Sequence, residues 1–229
     1  MSTKGLKEQL DAVGFCLVPQ SVTGTQVGEL RSSAGGLKSR HRGGARNLLH
    51  ELPVVAELAT APVILEMAEA ALGGGAFAVR ALFFDKSPEA NWKVPWHQDT
   101  AIAVSERIET PGYTGWSVKD GVPHVHPPVE ILDRMIALRV HLDDCGPDNG
   151  PLRVLPGSHR QGKLSEEETR RWRQTTTEVN CCCAAGDVLV MRPLLLHASS
   201  PAVSPSHRRV IHIEFANVQL PPSLRWFVA

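Results

Sequence analysis

Hydrophobic positions in the first third of the chain recur every three or four residues; beyond it they alternate or run unbroken in short blocks. Leu6 to Val13 has helical spacing, with Gly14 as its stop. The apolar run Phe15-Cys16-Leu17-Val18 then reads as a strand that Pro19 closes. Residues 23 to 34 predict a second helix ending at Gly35-Gly36. Val63 to Leu72 predicts another, with Pro62 where a helix begins and Gly73-Gly74-Gly75 as the stop. The character changes at Ala76-Phe77-Ala78-Val79-Arg80-Ala81-Leu82-Phe83-Phe84, a β-rich run. Short strands follow at 101–104, 135–142, 152–155, 178–183, 188–191 and 209–215, separated by Gly, Pro, Asn and Asp. One more helix is expected from Ser165 to Arg173, where Glu166, Glu167 and Glu168 suit the positive end of the helix dipole. This series predicts a mainly β sandwich or barrel with flanking helices packed outside it. A single domain is expected over 1–229, helical to about residue 75 and β from about 76 to 217.

Residues 105 to 128 interrupt the strands with Pro111-Gly112-Tyr113-Thr114-Gly115-Trp116 and His124-Val125-His126-Pro127-Pro128. So long an irregular connection in a compact domain is usually functional or disordered, and a lid over substrate is one reading. The basic, glycine-rich Arg40-His41-Arg42-Gly43-Gly44-Ala45-Arg46 lacks the preceding strand and following Gly-Lys-Ser/Thr of a phosphate cradle. It reads as a solvated loop edging a substrate pocket.

The 229 residues suffice for one large domain with a well-buried core. Lys plus Arg equal Asp plus Glu at 24 each, which counts against a nucleic-acid partner. No apolar run approaches the ~20 residues that span a bilayer, and Met1-Ser2-Thr3-Lys4-Gly5 leads into a polar helix. The expectation is a cytoplasmic protein acting on a small molecule, with neither nucleic acid nor membrane as partner and its oligomeric state open. Five cysteines, three of them adjacent at Cys181-Cys182-Cys183, include no Cys-x-x-Cys pair and read as reduced, mostly buried thiols.

The spacing that reads directly as chemistry is Trp96-His97-Gln98-Asp99-Thr100. Extended backbone puts His97 and Asp99 on one side, two thirds of a 2-His-1-carboxylate triad that holds Fe(II) and leaves positions open. His197, in Leu194-Leu195-Leu196-His197-Ala198-Ser199, is the best candidate for the missing ligand. The alternative is a chance surface pair or a hydrogen-bonded core histidine. His141, Asp143 and Asp144 are further ligand candidates, but their place at the mouth of an Asn-Gly turn favours turn chemistry and solvent. His159 reads as structural, His212 as a satisfied core histidine.

The stretch Asp143-Asp144-Cys145-Gly146-Pro147-Asp148-Asn149-Gly150-Pro151-Leu152-Arg153-Val154-Leu155-Pro156-Gly157-Ser158-His159 is strand, Asn-Gly turn, strand and Pro-Gly turn. Together with Val94-Pro95-Trp96-His97-Gln98-Asp99 and His197-Ala198-Ser199 it resembles the phytanoyl-CoA dioxygenase family of Fe(II)- and 2-oxoglutarate-dependent oxygenases. The similarity runs from about Arg80 to Phe215, and the amino-terminal helix followed by Gly14-Phe15 also fits. It implies a double-stranded β-helix, a jelly-roll barrel with the metal inside one end. It also implies His97, Asp99 and His197 as iron ligands and an arginine eleven positions past His197 for the far carboxylate of 2-oxoglutarate.

Arg208 and Arg209 compete for that carboxylate. Alternation groups Arg208 with Val210, His212 and Glu214, a polar lumen set, and Arg209 with the apolar Ile211, Ile213 and Phe215. Arg208 is therefore chosen. Ser199 resembles the hydroxyl that shares this carboxylate, and Arg139 and Arg80 are further candidates for cosubstrate or substrate anions.

The resemblance implies that 2-oxoglutarate and O2 are consumed, that succinate and CO2 are released, and that a C–H bond is hydroxylated. Related halogenases replace the carboxylate ligand with a small residue, so Asp99 argues for oxygen transfer, desaturation or cyclisation. The substrate expectation is a small or medium-sized metabolite, with Trp92, Trp116, His124 and His126 at the pocket rim. The rival readings are a jelly-roll metal hydrolase or isomerase and a non-catalytic metal-binding barrel.

Overall fold

The structure is a computed structural model that describes residues 3–37 and 44–227. The basic stretch Arg40 to Gly43 lies outside the described residues. The helical segment comprises α1 (Thr3–Val13), strand β1 (Phe15–Val18), α2 (Gly24–Ala34), α3 (Leu48–Glu51), α4 (Pro53–Thr60) and α5 (Pro62–Leu72). The strands β2 (Phe77–Lys86), β3 (Val94–His97), β4 (Ile102–Ala103), β5 (Thr114–Lys119) and β6 (Val122–His126) follow. After α6 (Val129–Leu132) come β7 (Met135–His141), β8 (Leu152–Val154), α7 (Glu166–Thr175), β9 (Val179–Cys181), β10 (Val188–Met191), β11 (His197–Ser199) and β12 (Arg208–Ala216).

Capping boxes begin α2 and α7. In each, an N-cap hydroxyl (Thr23, Ser165) accepts from the third helical N–H, and that residue's side chain accepts from the N-cap backbone. Helices α3 and α4 were not expected from the sequence.

The strands form a five-stranded antiparallel sheet, β1-β10-β7-β12-β2, and a four-stranded one, β3-β11-β8-β9. This is a jelly roll. Alternation divides the larger sheet cleanly. Ala81, Phe83, Leu138, Val140, Ile211 and Ile213 pack outward against Leu6, Leu10, Leu30, Leu58 and Ile64 of the helices. Each such large aliphatic, fully buried, contributes roughly 1.5–3 kcal/mol. The other face turns Arg80, Arg139, Arg208, His212 and Glu214 into the barrel. Part of that interior is filled by an apolar cluster including Leu152, Val154, Cys181, Cys183, Leu189 and Met191.

The expected irregular connection over 105–128 is corrected by the structure. Most of it is a hairpin, β5–β6, extended by β4 into a three-stranded sheet. The local cause is Asp120-Gly121, both at positive φ (49° and 80°), the conformation a tight two-residue hairpin turn needs. His141 is corrected too. It is buried on β7 rather than solvated, and burial, then Arg139 and Arg208, push its imidazole down to about 3.

Candidate active site

His97 ends β3, and His197 begins β11. The two are direct cross-strand partners in the smaller sheet, with ring centroids 4.2 Å apart. Asp99 lies just past the end of β3, where its N–H donates to the Pro193 carbonyl at 2.9 Å. Gln98 between them points the other way. Its amide donates to the carbonyls of Gly162 (2.8 Å) and Leu194 (2.7 Å) and accepts from the Leu164 N–H at 2.8 Å. Neighbouring loops thus clamp the strand end that presents both prospective ligands.

His97 Nδ1 is 2.9 Å from the Pro95 carbonyl, and His197 Nδ1 is 2.8 Å from that of Leu195. A carbonyl oxygen only accepts, so in the neutral form each ring carries its proton on Nδ1 and leaves the Nε2 lone pair free. Those Nε2 atoms lie 3.8 Å (His97) and 3.5 Å (His197) from the Asp99 carboxylate oxygens. Ligand atoms of all three residues fall within 4.8 Å of one another. Two neutral imidazoles and one carboxylate fit a divalent iron with open positions. Burial works to raise the Asp99 carboxyl, but His197 and His97 outweigh it and hold it well below the usual range. Burial pushes the His197 imidazole down to about 4, against the pull of Asp99, which keeps it an unprotonated donor.

The triad opens on a cavity of about 350 Å³. Arg208 on β12 and Lys86 on β2 face each other across the strand pair, both buried. The Lys86 ammonium donates to Ser199 Oγ (2.8 Å) and the Ser200 carbonyl (2.6 Å), and Arg208 donates to the Gly150 carbonyl. Gly150 cannot be replaced cheaply: at φ +59°, an added Cβ would sit 2.6 Å from the Ser200 carbonyl oxygen. Burial and the neighbouring Arg208 push Lys86 down to about 7, and burial and Arg208 push Arg139 down to about 10. The Nε atoms of Arg139 and Arg208 are buried with no hydrogen-bond partner among the described residues. Crowded, under-satisfied cations of this kind fit a dianionic cosubstrate.

A hydrogen-bonded chain crosses the cavity wall. Arg139 donates to His212 Nδ1 at 3.1 Å, His212 Nε2 donates to Glu214 at 3.3 Å, and Glu214 also accepts from Arg80. Arg209 instead points outward and makes a two-pronged pair with Asp143 at 2.8 and 2.7 Å.

Of the aromatic and histidine residues expected at the rim, Trp92 and His126 line the cavity. Trp116 and His124 do not. Trp116 packs against the apolar cluster around Tyr113 and Trp226, with the Arg107 guanidinium 5.6 Å from its ring centre. His124 is buried with Nδ1 on the Val122 carbonyl, and burial, then Arg80 and Lys119, push it down to about 4. Sequence reasoning missed Lys86, Lys119 and Gln98. Lys86 was accessible, since the two-residue step from Arg80 through Leu82 and Phe84 reaches it.

A jelly roll holding two histidines and one aspartate around a single point, beside buried cations, defines a mononuclear non-haem iron oxygenase. Residues 10–210 match the phytanoyl-CoA dioxygenase (PhyH) family, and the chain belongs to it. It is a 2-oxoglutarate-dependent dioxygenase whose cofactor is Fe(II) and whose cosubstrates are 2-oxoglutarate and O2. An L-proline trans-4-hydroxylase of Streptomyces griseoviridis is 23% identical over 248 residues, 92% of this chain and 85% of that protein. The crystal structure of AviO1 from Streptomyces viridochromogenes Tue57 superposes with a TM-score of 0.70 at 24% identity, covering 97% of this chain and 98% of that one. Apo EctD from S. alaskensis gives a TM-score of 0.74 at 19% identity, covering 97% and 80%. No described helix is long and apolar enough to cross a membrane.

Proposed function

We propose that this chain, as one oxygenase domain, hydroxylates an unactivated C–H bond of a small or medium-sized metabolite, releasing succinate and CO2. The observation that carries this reading is the set His97, Asp99 and His197 opening on the same cavity as Arg208. In it, those three side chains hold Fe(II). Arg208, Lys86 and Ser199 seat the far carboxylate of 2-oxoglutarate, and Arg139 adds positive charge nearby. When bound, iron and 2-oxoglutarate supply the activation of dioxygen. The protein's own part is to orient cosubstrate and target carbon and to keep water out, with Trp92 and His126 flanking the opening.

Cavity size supports a compact substrate. About 350 Å³ is near the small end of ligand pockets, which run roughly 300–1,000 Å³, and 2-oxoglutarate must share it. A molecule of amino-acid size, such as the L-proline in the name of the Streptomyces griseoviridis relative, suits that space better than a long acyl thioester. Cysteines without a disulfide among the described residues support a cytoplasmic setting. The test is anaerobic addition of Fe(II) and 2-oxoglutarate, followed by air. A visible charge-transfer band and then Fe(II)-dependent succinate are expected. Succinate formed equally well with Zn(II), or none with either metal, would reject the oxygenase assignment.

A further inference from the structure

The cavity is lined by a second group of cations, Arg46, Arg80 and Lys119, besides Arg139 and Arg208. Arg80 and Lys86 stand well apart on the β2 ladder, opposite Glu214 and Arg208 respectively. The six residue steps from Arg80 to Lys86 span about 20 Å of backbone at 3.3–3.4 Å per residue. A five-carbon diacid with bonds of ~1.5 Å reaches only about 7 Å. The charged neighbours differ as well: Arg208, Cys145, Arg139 and Arg153 act on Lys86, whereas Arg80 and Arg46, opposed by Asp99 and Glu214, act on Lys119.

At the outer end, Arg46 follows the Ala45–Phe83 bridge, and Lys119 ends β5 just before the Asp120-Gly121 turn. Both line the cavity. Arg80 is matched by Glu214, and Arg46 Nε is 3.3 Å from Asp120. Lys119 is half-buried and, among the described residues, has no carboxylate within ion-pair distance and no hydrogen-bond acceptor. Burial, then Arg80 and Arg46, push its ammonium down, against the weaker pull of Asp99 and Glu214. A lysine lining the cavity with no protein carboxylate paired to it among the described residues is free to pair with an anionic group on a ligand.

We propose that the primary substrate carries a carboxylate, and that Lys119, assisted by Arg46, seats it at the end of the cavity remote from Arg208. This rests on reading the His97, Asp99 and His197 cluster as the reaction centre. A substrate tethered there extends its carbon skeleton inward, so the distance from carboxylate to oxidised carbon is set by the protein.

The test is ligand-observed NMR on the whole chain without iron, with saturating 2-oxoglutarate so that the inner cations are occupied. The probes are small amino and hydroxy acids, L-proline and benzoate among them, each paired with its primary amide. Acids are expected to bind in preference to their amides, at least tenfold more weakly in Lys119→Gln and in Arg46→Gln, with Lys119→Arg restoring most of the affinity. Equal binding of acids and amides, absence of any acid binder, or unchanged affinity in folded Lys119→Gln would overturn the anion seat. Succinate release by the unaltered chain is a separate readout. Its failure would strike the reaction while leaving the binding result standing.

Discussion

Lys86 and Arg208 are direct cross-strand partners, two buried cations side by side in the β2–β12 ladder. Like charges in that position destabilise a sheet unless something negative lies between them. In the unfolded chain the lysine keeps its proton to about 10.4, while in the folded protein burial and Arg208 bring it down to about 7. Between those values the unfolded state binds more protons, so folding stability rises with pH by up to about 1.4 kcal/mol per unit. Lys86→Met should lack that slope. Urea unfolding at pH 7 and pH 9 checks it: the stability of wild type relative to the variant grows with pH, and a constant difference contradicts the depressed lysine. The variant should also need at least tenfold more 2-oxoglutarate.

His97→Ala and Asp99→Ala should each abolish 2-oxoglutarate-dependent succinate formation while barely moving the melting temperature. The His97 and Asp99 side chains keep 39% and 28% of their surface exposed, and removing Asp99 relieves its partial desolvation as well as its attraction to the imidazoles. Full turnover in either variant would show that the cluster is not the iron site.

Adjacent arginines should separate by phenotype. Arg208→Ala is expected to raise the 2-oxoglutarate requirement tenfold or more. Arg209→Ala should leave the requirement near normal and cost about 1 kcal/mol of stability, since its pair with Asp143 is only partly buried. Titrations of succinate formation against 2-oxoglutarate, beside thermal melts, read both.

Gln98 makes three hydrogen bonds that fasten the ligand-bearing strand end to the loops at 162–164 and 194. Gln98→Ala strands those backbone groups, at about 1–3 kcal/mol for each left without water or another partner. Fe(II) affinity, measured by competition with a chelator, should fall together with stability. Unchanged metal affinity in a destabilised variant would confine Gln98 to a purely structural part.

Much of the site was legible because strand parity is a local property. On β12 the two-residue period alone puts Arg208, His212 and Glu214 in the lumen and Arg209 outside. The turn and strand signals around Asn149-Gly150 and Pro156-Gly157 bracket β8 in the same way, because backbone conformation there is dictated by a few residues. The β5–β6 hairpin was missed although Asp120-Gly121 carried its signal, because the flanking strands are mostly exposed and show little apolar alternation.

By itself, the sequence determined which residue types were available for the chemistry and which face of each strand they occupy. Only the tertiary structure decided that His97 and His197, one hundred positions apart, meet across two strands while Trp116 turns away from the cavity. It also decided that Lys119 and Arg46 share one pocket with Arg80. The physical reason is the range of the forces involved. Parity and turns follow from neighbouring backbone dihedrals, but which strand lies beside which is settled by burying the apolar faces of whole sheets and helices together.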